Sequence, residues 1–136
     1  IFYPTVDLRV SIPLELRTLI GHRIYGCDDC QLVCPWNKLA RKSVEPDFAV
    51  RHGLDGTALV DLFGWNEADF LARTEGSAIR RIGHEQWLRN IAVAMGNAPR
   101  NPAIIEALQS RAEHPSALVR EHVAWALQRQ APQRLA

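Results

Sequence analysis

The sequence of 136 residues predicts a mainly α-helical fold in which a cysteine-bearing loop precedes a series of short helices. Three observations support this prediction. Apolar residues recur at helical spacing in most segments. An arginine-containing pattern repeats after 31 residues, from Arg89 to Arg120. Three cysteines, Cys27, Cys30 and Cys34, lie within eight residues and mark a loop with its own chemistry.

The first 56 residues contain two predicted helices between less regular segments. Residues 1–13 look extended, because prolines interrupt β-favouring and apolar residues. The apolar spacing predicts a helix over residues 14–24, which Gly21 weakens. A short helix is expected at 36–40. Residues 43–56 lack periodicity and are expected to form a linker or surface loop.

The rest of the chain is predicted to form short helices. Asn66 can cap one helix, with Asp69 three residues later as an acidic variant of the capping box. Asn101 precedes a proline at the first position of another helix. The other predicted helical segments are 57–63, 78–82, 84–95 and 116–130. Their predicted core residues are Phe70, Leu71, Trp87, Leu88, Ile91, Val93, Ala94, Met95, Ile104, Ile105, Leu108, Ala112, Leu118, Val119, Val123, Ala124 and Leu127.

Two of these helices share a sequence pattern. The segment that begins at Trp87 aligns with the segment that begins at Leu118, and Arg89 aligns with Arg120. A helix-pair repeat of this kind is typical of HEAT-like solenoids. Because about three repeats are normally needed to bury a continuous core, we expect the helices at 57–74 to act as a cap.

Length and composition are those of an ordinary globular protein. Hydrophobic residues make up 47% and charged residues 23% of the chain, which argues against intrinsic disorder. No apolar run approaches the roughly 18 residues of a membrane span. The start carries no signal-peptide pattern, so we expect a cytoplasmic protein without a membrane partner. Because the first residue is Ile1 and not Met, we expect a piece of a longer protein.

Charge is distributed unevenly along the chain. Residues 1–70 contain 7 basic and 10 acidic side chains, whereas residues 71–136 contain 9 basic and 5 acidic ones. Arginine supplies 14 of the 16 basic residues, and its planar guanidinium suits phosphate and carboxylate groups. The second half is the better candidate for an anionic partner. A GC-rich genome is the alternative explanation for the many arginines.

The cysteines are spaced C-x2-C-x3-C, and Pro35 follows directly. Their odd number argues against a disulfide framework. Bacterial proteins with two iron–sulfur clusters carry a C-x2-C-x2-C-x3-C-P run, whose last cysteine ligates the other cluster. The spacing therefore predicts that Cys27 and Cys30 bind one 4Fe–4S cluster and Cys34 binds a second. The remaining ligands would lie outside these 136 residues.

Two other interpretations of the cysteines stay open at this point. A structural zinc site of the Cys3His type would use His22 or His52 as its fourth ligand, although zinc sites usually carry paired C-x2-C knuckles. The other interpretation is three reduced cysteines without a metal, but chance rarely places three at this spacing before a proline. The five histidines form no recognisable constellation, and no phosphate-binding glycine motif occurs.

Motifs through nearly the whole chain resemble the C-terminal part of the epoxyqueuosine reductase family. The segment Gly26–Asn37, which contains the cysteines, is close to diagnostic. The chain departs from the family pattern at Pro4 and at His22, neither of which is a proposed ligand. The further matching segments are Ile12–Arg17, Gly21–Tyr25, Glu75–Arg81, Trp87–Asn90 and Gly96–Asn97.

The resemblance implies a part of an enzyme that reduces epoxyqueuosine in tRNA to queuosine. Members of this family bind cobalamin mainly in an N-terminal catalytic domain and hold two 4Fe–4S clusters, whose other ligands lie upstream of the region matched here. No catalytic residue is therefore assigned to this chain. The resemblance also implies an electron donor, and we expect the full-length protein to be a monomer.

A helical repeat that holds the anticodon stem-loop of tRNA would use arginine to contact phosphates. Arg80, Arg81 and Arg89 are the first candidates for nucleic-acid binding, and Arg100 and Arg120 come next. Arg89 and Arg120 also have a structural alternative, since an arginine at this place in HEAT-like repeats often braces neighbouring helices.

The tryptophans and two asparagines in the matched motifs complete the candidates. Trp87 and Trp125 are expected in the core rather than as platforms for base stacking. Trp36 follows the cysteines directly and is expected to pack over the cluster or near the cobalamin. Asn37 and Asn90 are polar positions without an assigned role.

The predicted organisation has three parts. Residues 1–42 form the C-terminal part of a ferredoxin-like domain with two 4Fe–4S clusters, residues 43–56 form a linker, and residues 57–136 form a HEAT-like helical repeat domain. A zinc-clipped protein-binding HEAT-like module without catalysis is the alternative function. A simple electron carrier is a third possibility, which the arginine-rich repeat at 77–97 disfavours.

Overall fold

The centre of the fold is a long helix, α5 (Gly83–Asn97), whose residues from Gln86 to Gly96 are all buried. The last helix, α7 (Ala117–Gln130), shorter helices and the N-terminal segment enclose it. A helix buried on all sides can carry polar side chains only where they find hydrogen-bond partners. For α5 most of these partners lie in the N-terminal segment. The computed structural model describes residues 1–132.

The other helices are short. Four of them are about one turn long. They are a π-helical turn at Tyr3–Asp7 and 3-10 helices at Pro35–Leu39, Pro46–Phe48 and Ala78–Ile82. Residues 1–132 contain no β-strand, so the predicted mainly α-helical class is confirmed. The remaining α-helices are α1 (Leu14–Ile20), α2 (Asp29–Leu32), α3 (Leu59–Phe63), α4 (Glu67–Arg73) and α6 (Pro102–Gln109).

Polar side chains cap several helices, including the predicted cap at Asn66. Oδ1 of Asn66 accepts the backbone N–H of Asp69 at 2.8 Å, and the Asp69 carboxylate accepts the N–H of Asn66, which completes the capping box. Asn101 caps α6, Ser116 caps α7 and Ser77 caps the 3-10 helix at Ala78–Ile82. Caps of this kind each stabilise a helix by about 1 kcal/mol.

Aromatic rings fill the space between α5 and the short helices before it. Trp87 is fully buried and stacks on Trp65 with ring centroids 5.5 Å apart. Its indole N–H donates to the carbonyl of Leu62 at 3.2 Å, so the polar atom is satisfied. The predicted core position of Trp87 is confirmed. Leu71 is 39% exposed, because the buried face of α4 is occupied by Phe70.

The close packing of α5 on α7 depends on a glycine. A Cβ atom at Gly96 would lie 2.5 Å from the Trp125 ring and 3.0 Å from the Cα of Ala126. Trp125 itself is half-buried. The predicted core residue Ala124 is exposed, because α7 turns another face inward. The residues of that inward face are Val119, His122, Val123, Ala126 and Gln130.

The N-terminal segment differs from the extended structure predicted for residues 1–13. Its first part forms the π-helical turn, in which Thr5 is buried and its hydroxyl donates to the carbonyl of Ile1 at 2.8 Å. After this turn Leu8 is extended, and the chain bends at Val10. The helix predicted over 14–24 ends at Ile20, because Gly21 adopts φ +63°, a left-handed conformation that suits glycine.

No helix among residues 1–132 is long and apolar enough to cross a membrane.

Residues 43–56 are mostly exposed, as expected of a surface loop, and contain the 3-10 turn at Pro46–Phe48. The division into parts at residues 42 and 57 and the HEAT-like character of the repeat stay predictions.

Candidate functional site

The three cysteines lie around the short helix α2. Cys27 precedes it, Cys30 is part of it, and Cys34 follows it directly before the 3-10 helix at Pro35–Leu39. The chain enters α2 through Asp28, which adopts the left-handed conformation with φ +54°. It leaves through a turn in which the N–H of Cys34 donates to the carbonyl of Gln31 at 3.1 Å.

Asn37 stabilises the turn around Cys34. Its side-chain amide donates to the carbonyl of Gln31, and its backbone N–H donates to the carbonyl of Cys34 at 3.1 Å. The side chain thus closes the loop that carries the last two cysteines, which gives this position of the matched motif a structural role.

The three thiols are free, with Cys30 exposed and Cys27 and Cys34 half-buried. Residues 1–132 bring no three histidine, cysteine or acidic side chains together in a geometry that could hold a metal ion. Thiolates are the ligands of iron–sulfur clusters, so the donor set fits two incomplete ligand sets better than one closed site. Within residues 1–132 neither His22 nor His52 forms such a group with the cysteines, so the Cys3His site of the zinc alternative stays a prediction.

A buried polar network holds the chain just before Cys27. The hydroxyl of Thr5 accepts the backbone N–H of Gly26 at 3.0 Å. The side-chain amide of Asn90, on α5, donates to the carbonyls of Thr5 at 2.7 Å and Ile24 at 2.9 Å. The loop of the cysteines is therefore fixed to the central helix through two hydrogen-bonded side chains.

Arg89 is completely buried and extends this network. Its guanidinium donates to the carbonyl oxygens of Pro4, Leu8 and Val10 at 2.7–2.8 Å, and to Oδ1 of Asn90. The prediction that Arg89 contacts RNA is therefore corrected. Its hydrogen-bond donors are turned into the protein and bind backbone, which matches the bracing role that was the alternative.

Burial lowers the pKa of Arg89 to about 10, and the nearby Arg9 guanidinium lowers it further while Glu85 opposes this. The side chain therefore remains charged at neutral pH. Several carbonyl dipoles solvate this charge in place of a carboxylate, which makes the site dependent on their geometry.

Arg80 and Arg81 lie together on the exposed 3-10 helix at Ala78–Ile82. The hydroxyl of Tyr25 donates to the carbonyl of Ala78 at 3.1 Å, so this turn adjoins the segment that leads into Cys27. Arg81 forms an exposed ion pair with Asp7 at 3.1 Å.

Arg100 and Arg120 are exposed but are partly used within the chain. Arg100 donates to the carbonyl of Gln130 at 3.2 Å. Arg120 donates to the carbonyls of His114 and Pro115 at 2.6 and 2.7 Å, at the start of its own helix. Because these acceptors lie in the turn before its own helix, the structural alternative for Arg120, bracing of neighbouring helices, stays a prediction.

The structure leaves the role of Trp36 open and identifies further residues that hold the cysteine loop. Trp36 is 73% exposed, so no packing within residues 1–132 explains it. Thr5, Tyr25 and Arg23 hold the cysteine loop, but no local pattern indicates this role, because their partners are 21, 53 and 6 residues away. Such contacts follow from the tertiary structure and not from spacing.

Comparison with known proteins reveals close relatives. No family model matches the chain. It is 57% identical over 129 residues to an epoxyqueuosine reductase of Pseudomonas aeruginosa, covering 95% of this chain and 36% of that protein. It is 56% identical over 135 residues to an epoxyqueuosine reductase of Escherichia coli, covering 98% and 35%.

Solved structures of the same enzyme share the fold. A crystal structure of epoxyqueuosine reductase with a tRNA-Tyr epoxyqueuosine-modified stem loop matches with a TM-score of 0.82 and 25% identity, over 92% of this chain and 33% of that one. A selenomethionine-labelled epoxyqueuosine reductase matches with a TM-score of 0.77 and 26% identity. The chain spans about a third of the length of the relatives it matches. The resemblance predicted from the cysteine motif is confirmed, and the chain is a relative of epoxyqueuosine reductases that corresponds to about a third of such a protein.

Proposed function

We propose that this chain is the C-terminal part of an epoxyqueuosine reductase, and that it supplies iron–sulfur ligands and a tRNA-binding surface. The observation that carries the proposal is the hydrogen bond from Tyr25 to Ala78. It joins the segment before Cys27 to the turn that presents Arg80 and Arg81. Electron delivery and phosphate binding would therefore take place on adjoining elements of one structure.

The proposed reaction removes the epoxide oxygen of the modified base. The two carbon–oxygen bonds break, a carbon–carbon double bond forms, and the oxygen leaves as water, which requires two electrons and two protons. Cobalamin supplies the chemistry at carbon and the clusters supply single electrons when they are bound. We assign no residue of this chain to cobalamin, and the electron source is a separate donor.

Within this scheme Cys27 and Cys30 are ligands of one 4Fe–4S cluster, and Cys34 is a ligand of the second. The remaining thiolates come from the rest of the protein. Asn90, Thr5 and their hydrogen bonds to the preceding backbone position the first two thiolates relative to α5. Because the potential of a cluster depends on hydrogen bonds, charge and exposure around its sulfurs, this fixed loop is part of the redox function.

The proposed tRNA-modifying role implies a cytoplasmic location.

Arg80 and Arg81 are the proposed phosphate contacts, and Arg100 and Arg120 are secondary candidates. Arg80 is exposed, so its charge is available to an RNA backbone. Arg81 would exchange its ion pair with Asp7 for a phosphate, or share its donors between the two.

The test measures binding of a tRNA anticodon stem-loop to the intact protein at several salt concentrations. Arg80→Glu should weaken binding and reduce the slope of log affinity against log salt by about 1. Arg129→Glu makes the same charge change at another exposed arginine, at the end of α7, and is the matched control. It should alter binding less.

Arg81 needs its own control because its substitution also breaks the pair with Asp7. Asp7→Asn breaks that pair but keeps the cation, so it should leave RNA affinity equal or higher. Arg81→Glu should lower it. If Arg80→Glu and Arg81→Glu bind the stem-loop like the unmodified protein, the RNA surface lies elsewhere and this part of the proposal fails.

A further inference from the structure

An ion pair lies directly beside the first two cysteines. Nη2 of Arg23 donates to both carboxylate oxygens of Asp29, at 2.8 and 3.0 Å. Arg23 belongs to the turn after α1, and Asp29 is the first residue of α2, between Cys27 and Cys30. The pair therefore ties the turn before the loop to the short helix that carries Cys30.

Both partners are half-exposed, with 38% of the Arg23 side chain and 49% of the Asp29 side chain accessible. An exposed pair of this kind contributes little to folding stability. The hydrogen bond and the charge of Asp29 raise the pKa of Arg23, so the cation is permanent under all relevant conditions. The pair therefore affects the local charge and geometry of the cysteine loop more than the stability of the protein.

The sequence places two acids, Asp28 and Asp29, between the first two cysteines. Each electron delivered to a cluster at Cys27 and Cys30 adds one negative charge there, and a neighbouring carboxylate opposes this. Arg23 cancels the charge of one of the two acids, because it binds Asp29 through both oxygens. Asp28 has its backbone turned into the left-handed conformation and lies exposed beside the pair.

We propose that Arg23 is a positioning residue for the cluster at Cys27 and Cys30, and that its pairing with Asp29 offsets the lowering of that cluster's reduction potential which the Asp29 carboxylate alone would cause. The proposal rests on the proposed function, since it requires a cluster at these two cysteines. The electron comes from the separate donor, and the cluster is the group reduced.

The experiment is a redox titration of the intact protein, purified without oxygen and reduced stepwise with dithionite, with the clusters followed by electron paramagnetic resonance. Arg23→Gln should lower the midpoint potential of one cluster and leave the other unchanged. Asp29→Asn should raise it. The double variant should return close to the unmodified value, because both charges are gone. The corresponding reduction equilibrium constants should change severalfold.

Two further variants separate charge from structure. Arg23→Lys keeps the cation and should restore most of the potential that Arg23→Gln loses. Asp7→Asn removes an acid of similar exposure (46%) from a second exposed pair, Asp7–Arg81, and should shift the potential less than Asp29→Asn. Iron content is measured for each variant, since a loop that merely unfolds would lose iron.

The outcomes distinguish this inference from the proposed function. Opposite shifts in the two single variants, with cancellation in the double variant, support the role of Arg23. Clusters with the unmodified potential in every variant, or shifts of the same sign in both single variants, overturn that role and leave the proposed function standing. An unmodified protein that contains no iron overturns both.

Discussion

Arg89 and Asn90 are neighbours in the central helix, and the guanidinium of Arg89 donates two hydrogen bonds to Oδ1 of Asn90, at 3.0 and 2.9 Å. Arg89 then binds the carbonyls of the N-terminal segment, whereas Asn90 binds the backbone before the cysteines. The two side chains act as one unit, which fixes residues 4–24 to the helical part of the protein.

Replacement of Arg89 should damage folding rather than RNA binding alone. Arg89→Met leaves three backbone carbonyls and the Asn90 oxygen without a donor, which should lower the free energy of local unfolding by about 3 kcal/mol or more. Amide hydrogen exchange of α5 in the intact protein measures this. Arg80→Met, at an exposed site, is the control and should change it by less than about 0.5 kcal/mol. Equal exchange in both variants would mean that Arg89 is not a structural residue.

Asn90 and Asn97 offer a matched pair within one helix. Asn97 donates to the carbonyls of Arg17 and Gly21 at 2.7 and 3.0 Å, whereas Asn90 donates to those of Thr5 and Ile24. Each change to Ala should cost about 1–3 kcal/mol locally. Only Asn90→Ala should speed hydrogen exchange at Gly26, next to Cys27. Faster hydrogen exchange at Gly26 in both variants would show that Asn90 does not specifically hold the cysteine loop.

Gly96→Ala should destabilise the protein although alanine is the better helix former. The added methyl would lie 2.5 Å from the Trp125 ring, and such overpacking costs about 1–3 kcal/mol. This exceeds the ~1 kcal/mol that alanine gains in a helix. Gly56→Ala meets open space and needs no left-handed conformation, so it should leave stability unchanged or slightly higher. Thermal unfolding of both variants measures the difference. A higher melting temperature for Gly96→Ala would contradict the packing of α5 on α7.

His122 should make stability fall in mild acid. Its Nε2 accepts the N–H of Ile12 at 3.1 Å, and Nδ1 donates to the carbonyl of Leu118 at 2.8 Å. Burial lowers the pKa of His122 from 6.5 to about 4; the bond to Leu118 and the charge of Glu121 oppose this, whereas Arg17 and Arg89 support it.

The pKa of His122 is lower in the folded protein than in the unfolded protein. The stability that neutral His122 contributes is therefore fully present above pH 6.5. It is lost as the pH falls towards 4, by up to ~3 kcal/mol. Urea unfolding between pH 7 and pH 4 measures this loss. His122→Gln removes the titration and should flatten the profile across that range. An equally steep profile in this variant would assign the acid sensitivity to other groups.

The sequence predicts the helical part of this protein well because local signals define it. The capping box at Asn66, the start of α6 after Asn101 and the apolar spacing around Trp87 all depend on residues within a few positions of each other. The N-terminal segment was predicted wrongly as extended. Its π-helical turn is held by Arg89, which lies 85 residues from Pro4 and is not visible in any local window.

The same distinction between local signals and tertiary contacts applies to the candidate site. The cysteine spacing and the exposed Arg80 can be read from the sequence, since each depends only on residue type and position. The sequence predicts a structural role for Arg89 only as an alternative, because charged side chains on a helix normally mark its solvent face. The ion pair of Arg23 with Asp29 depends on the turn at Gly21, whose place as the end of α1 the periodicity did not reveal.

The most direct test of the account is a metal analysis of the intact protein, purified without oxygen. We predict about 8 iron atoms and a matching amount of sulfide per chain, with a broad absorption band in the visible, as two 4Fe–4S clusters require. Replacing Cys34 with serine should impair one cluster and leave the other. About one zinc atom per chain and no colour would contradict the account, and would favour a zinc-clipped binding module instead.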